Sequence, residues 1–153
     1  MYGIGRNRQA HAAAYAIDGR ALIFPQQGIA AACDKVRRAD LTDPAGLGQG
    51  VFDALDASTP IRKKKLSLGE QTRAFHDTME AFRQEAKIGQ TRFANALVHG
   101  LIHQTRDGIT LTPMRAVRGR YGFERGGEDV FIPVPSSLDA ATIGRGLALM
   151  LTR

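Results

Sequence analysis

The chain has 153 residues, a length that suits one domain with an ordinary apolar core. Lys and Arg number 21 against 15 Asp and Glu, and the net charge of +6 draws the chain toward phosphate backbones, anionic membranes or acidic proteins without choosing among them. The single cysteine, Cys33, excludes an intramolecular disulfide and a Cys-rich zinc site and fits a reducing compartment, and no apolar run approaches the length of a membrane span.

Arg6 and Arg8 before the apolar run Ala10 to Ile17 loosely imitate a signal peptide. His11 inside the run, and Asp18 and Arg20 straight after it, argue against that reading, so a cytoplasmic protein is expected. The runs His11 to Ile17 and Arg20 to Phe24 flank Asp18-Gly19, a strong signal for a two-residue hairpin turn, and Pro25 is expected to end the second strand. From Gln26 to Thr42 no period is visible, and a loop carrying Lys35, Arg37 and Arg38 is predicted.

Asp43-Pro44 is a capping residue followed by proline at the first helical position, and Leu47, Val51, Phe52 and Leu55 follow at helical spacing. This helix is acidic: from Leu41 to Ile61 the chain holds Asp43, Asp53 and Asp56 and no basic residue. Ser58-Thr59-Pro60 stops it, and the run Arg62 to Lys65 then reads as a solvated loop. Ser67-x-x-Glu70 has the form of a capping box for a second helix with the stripe Phe75, Met79, Phe82 and Ala86, and Gly89 is expected to cap its end. A shorter helix starts near Thr91 with Phe93 and Leu97.

Two more hairpins are predicted: Leu97 to Gln104 with Ile109 to Pro113 around Arg106-Asp107-Gly108, and Arg120 to Glu124 with Asp129 to Val134 around Arg125-Gly126-Gly127-Glu128. Ser136-x-x-Asp139 opens a final helix with Leu138, Ile143, Leu147 and Leu151 near one face. The expected fold is α+β, an antiparallel sheet built from hairpins and covered on one face by about three helices, including a C-terminal one. One domain over 1–153 is expected, with 1–42 as N-terminal hairpin and loop.

Two apolar helical stretches carry Gly-x-Gly: Gly48 and Gly50, then Gly144 and Gly146. A dinucleotide fingerprint needs a third glycine three residues on, where Asp53 and Leu149 stand instead, so close helix packing is the preferred reading. His99 and His103 share a face on either a helix or a strand, but no glutamate follows His99 and no third ligand stands nearby, so no metal is expected. Ser58, Ser67, Ser136 and Ser137 lie outside any Gly-x-Ser-x-Gly, and Cys33 beside Lys35 has no histidine linked to it by sequence; no enzyme is expected. Arg115, Arg118, Arg120 and Arg125 interleave with Tyr121 and Phe123, a pattern that suits phosphate contact and base stacking and also suits a hairpin with an arginine-rich exposed face.

Four places resemble the immunity proteins of bacterial contact-dependent growth inhibition systems, the CdiI group. They are Leu47-Gly48 through Ala54-Leu55 to Ser58, Lys87-Ile88-Gly89-Gln90-Thr91-Arg92, Gly108-Ile109-Thr110-Leu111-Thr112-Pro113, and Ile143-Gly144 through Leu147 to Leu151. The resemblance spans Leu47 to the C-terminus. It implies a cofactor-free binder of the toxin domain at the C-terminus of a large exported protein, often a nuclease. Two contact surfaces are open: the acidic helix with Asp53 and Asp56 against a basic cleft, or Arg115, Arg118, Arg120, Tyr121 and Arg125 against an acidic patch. The alternative is a basic RNA-binding accessory protein.

Overall fold

The computed structural model describes residues 9–27, 30–31, 36–58, 68–116 and 123–152. The first hairpin forms as expected: β1 (Ala10–Ile17) pairs antiparallel with β2 (Arg20–Gln27). Asp18 and Gly19 take φ of 50° and 79°, the left-handed values that a tight hairpin turn requires. Pro25 does not end β2. It falls between the stretch that pairs with β4 (Arg37–Asp40) and the two residues that pair with β3 (Ala30–Ala31), so its missing N–H breaks no ladder bond on that edge. The predicted loop from Gln26 to Thr42 is thus corrected: Arg37 to Asp40 is a strand against Arg20 to Ile23.

Helix α1 (Pro44–Ala57) is capped by Asp43, whose carboxylate accepts from the Gly46 N–H at 3.1 Å. Helix α2 (Leu68–Ala86) ends at Lys87, which holds the left-handed φ of 57° expected of Gly89. Gly89 instead caps the start of α3 (Gln90–Ala96) in an extended conformation. Ser67 and the run Arg62 to Lys65 lie outside the described residues.

Strands β5 (Val98–Thr105) and β6 (Gly108–Ala116) form the second predicted hairpin, with Thr105 opposite Gly108. The third does not form. β7 (Phe123–Arg125) and β8 (Val130–Pro133) both pair with β6, β7 beside Met114 to Ala116 and β8 beside Gly108 to Leu111. They lie end to end along one strand, and Gly126 between them donates to the Pro113 carbonyl at 2.8 Å. After a short 3-10 turn (Ser136–Leu138), α4 (Ala140–Leu151) closes the described chain. Its cap is Asp139 rather than the expected Ser136, which lies in the 3-10 turn; Asp139 accepts from the Thr142 N–H at 3.0 Å and the Thr142 hydroxyl at 2.6 Å.

The result is the α+β architecture expected, with an antiparallel sheet in the order β3-β2-β1-β5-β6-β7 and a C-terminal helix. Its centre is the non-local pairing of β1 with β5. Both faces of this centre are buried, which corrects the expected single covered face. Ala10, Ala12, Ala14 and Ala16 of β1 pack under α1 and α4, where small side chains let helices lie close to the strand. Ala13, Tyr15 and Ile17 point the other way, with Leu22 and Phe24, against Phe75, Met79 and Phe82 of α2. Glu85 of α2 ties that helix to the sheet through Arg20 and Arg38.

The glycine pairs explain how two helices fit on one face. A Cβ on Gly48 would stand 2.7 Å from Ala140 Cα, and one on Gly144 would stand 2.8 Å from Pro44 Cα, with the carbonyl groups of those residues nearer still. Each glycine sits on the first residue of the other helix. The second glycine of each pair faces the sheet: Gly50 meets Ile23, and Gly146 meets Ile132 and Leu111. Close approach, not phosphate binding, is their role in this fold.

Candidate functional site

The second face of the sheet is covered unevenly. Near β2 and the end of β1, α2 covers it. Toward β6 and β8 no described helix does, and a groove of about 730 Å³ opens there. Alternation along each strand builds its floor. Register places Gln26, His11, His103, Thr110 and Phe131 in one row across β2, β1, β5, β6 and β8. A second row carries Leu101 and Thr112, and a third carries Met114 opposite Arg125.

His11 and His103 face each other across strands with ring centroids 4.3 Å apart and planes 6° from parallel. His103 Nε2 lies 3.3 Å from Gln9 Oε1. Partial burial, and then the adjacent His103, hold His11 below the usual imidazole value. At the rim, Asp129 accepts from the Arg125 guanidinium at 2.7 Å and from the Thr112 hydroxyl at 2.8 Å. Leu101 is 36% exposed and Phe131 52% exposed.

The predicted histidine pair separates. His99 and His103 share a face, but Leu101 stands between them and their neighbours differ. His99 is buried, stacks on Tyr15 at 4.3 Å, and is pushed down to about 4 by desolvation. Among the described residues no three His, Cys, Asp or Glu side chains gather as a metal site.

The candidate contact residues fall on two distant surfaces. Asp53 and Asp56 lie on α1, on the other side of the sheet from the groove. Asp53 accepts from Gln49 at 3.0 Å and pairs with Arg37 of β4 at 3.5 Å. Arg115 and Arg125 lie at the opposite sheet edge. Arg115 pairs with Glu124 at 2.9 Å, and only Arg125 lines the groove. Arg118, Arg120 and Tyr121 lie outside the described residues. The structure therefore does not bring the two predicted groups together.

Sequence reasoning did not find His11, Leu101, Thr110, Met114 and Phe131 as one surface. The alternation of His99, Leu101 and His103 was visible, but the β1–β5 pairing that adds His11 joins residues about ninety positions apart.

No protein family and no characterised protein sequence matches the chain. Two solved structures share its fold almost end to end. A protein of unknown function from Neisseria meningitidis superposes with a TM-score of 0.73 at 17% identity, over 95% of this chain and 96% of that one. A chain of the CdiA-CT/CdiI toxin and immunity complex from Yersinia pseudotuberculosis superposes with a TM-score of 0.70 at 16% identity, over 93% and 96%. At these identities the likeness is one of fold.

Proposed function

We propose that this chain is an immunity-type protein that binds a toxin domain, the C-terminal domain of a large exported protein, and blocks its activity in the cytoplasm. The toxin is expected to be a nuclease. The observation that carries the reading is the likeness of fold, over nearly the whole of both chains, to a component of a toxin and immunity complex. That complex holds a toxin and its inhibitor, and the four places in the sequence that resemble the immunity group favour the inhibitor. The reading needs no cofactor and no metal.

The RNA-binding alternative draws on Arg118, Arg120 and the run Arg62 to Lys65, which lie outside the described residues.

Co-expression tests the reading. The C-terminal domain encoded by the gene immediately upstream is expressed in cells with and without this chain, and survivors are counted. Rescue together with co-purification of a one-to-one complex is expected. A toxic domain that kills equally well in both cultures refutes it.

A further inference from the structure

The two faces of the sheet hold their helices in different ways. Helix α1 buries seven of its 14 residues and α4 five of its 12, and their glycines bring one helix backbone against the other. In α2, 19 residues long, Met79 and Phe82 are the buried ones among those whose side chains are described. Phe75 is half-buried, edge-on to Tyr15 at 5.5 Å and tilted on Phe24 at 6.2 Å. Resistance to local opening rises with the apolar area a segment buries, so this contrast puts α2 at the low-stability end of the fold.

The polar ties point the same way. Among the described residues, the ties from α2 to the strands converge on Glu85, next to the helix's last residue. Its carboxylate pairs with Arg20 of β2 at 3.7 Å and with Arg38 of β4, and its carbonyl accepts from Arg20 at 3.2 Å. These side chains are 43–48% exposed, and ion pairs so exposed hold weakly. The backbone hydrogen bonds of α2 are internal, so lifting it breaks no ladder bond. The apolar side chains under it, Tyr15, Leu22 and Phe24 among them, form a cluster separate from the one under α1 and α4. Losing the first cluster therefore leaves the second in place.

We propose that α2 is a cover that opens on its own: it leaves Tyr15, Leu22 and Phe24 while the sheet and the layer of α1 and α4 stay folded, and Phe82 and the Glu85 pairs set how often it opens. A lone helix of this length is marginal in water, so α2 unravels when it lifts, and its amides then meet solvent. The inference goes beyond the immunity reading and does not depend on it.

Hydrogen exchange of the full chain, read segment by segment by mass spectrometry under native conditions, tests the cover. After correction for intrinsic rates, α2 amides are expected to exchange at least about tenfold faster than those of α1 and α4. Glu85→Gln is expected to speed α2 amides about threefold, the size of an exposed ion-pair loss, and to leave α1 and α4 unchanged. Phe82→Ala is expected to speed them about 100-fold, again with α1 and α4 unchanged, once a melting curve confirms that it is folded. Amides of α2 as slow as those of α1 and α4 overturn the proposal. So do variants that speed all the helices alike, or that leave α2 amides unchanged.

Discussion

Replacing Gly48 or Gly144 by alanine tests the helix packing most directly. In an isolated helix either change would help, by about 1 kcal/mol of helix propensity. Here the new Cβ would stand 2.7 Å or 2.8 Å from a backbone Cα of the other helix, with that residue's carbonyl nearer still. No rotamer change relieves a clash with backbone. An ordinary carbon contact of ~3.7 Å to that Cα alone needs the helices to part by about 1 Å, and the nearer carbonyl group needs more, which loosens every contact along α1 and α4. Overpacking of this kind costs about 3 kcal/mol at the upper end of its usual range. The propensity gain leaves a net loss of about 2 kcal/mol, or a melting temperature lower by about 4–8 °C in a domain of this size. Gly50→Ala and Gly146→Ala press only on the ends of the Ile23, Ile132 and Leu111 side chains, which can move, and Gly50→Ala otherwise makes an ordinary contact with Arg37 at 3.6 Å, so they should cost less. Leu149→Ala, at a site 67% exposed, should leave the melting temperature nearly unchanged and serves as the control. Thermal unfolding by circular dichroism reads all five. A melting temperature for Gly48→Ala and Gly144→Ala equal to or above the wild type would refute the close-approach argument.

Two other outcomes are expected. His99 is neutral in the fold because burial pushes it down to about 4, whereas in the unfolded chain it titrates near 6.5. Its contribution is therefore full above about pH 6.5 and falls as pH drops toward 4, by about 3 kcal/mol in all. Urea unfolding of His99→Phe, which can keep the stack on Tyr15, should lose less stability over that range than the wild type; parallel pH profiles would sink the assignment. Asp43→Ala removes the acceptor for the Gly46 N–H and should cost about 1 kcal/mol, a drop of about 2–4 °C in melting temperature. No change would mean that water caps α1 equally well.

The site is harder to read from sequence than the elements that frame it. Asp53, Asp56 and the arginines stand out because charge is visible residue by residue. Leu101, Met114 and Phe131 look like ordinary core residues, and nothing local says that α2 covers Tyr15 and Phe24 but stops short of them.

Local physics sufficed for Asp18-Gly19, for the hairpin around Asp107-Gly108, for Asp43 as a cap, and for the apolar stripes of α1, α2 and α4. Each depends on conformational preferences or hydrogen bonds within a few residues, so the sequence by itself determined them. Tertiary structure alone decided the rest. Arg37 to Asp40 is a strand only because β2 offers an unpaired edge, and the third hairpin opens because β6 is long enough to hold both β7 and β8. His11 meets His103, and Gly48 meets Ala140, only once the β1–β5 pairing has set the two helices on one face. Those contacts join segments far apart in the chain, and their free energy comes from mutual burial that no single segment carries alone.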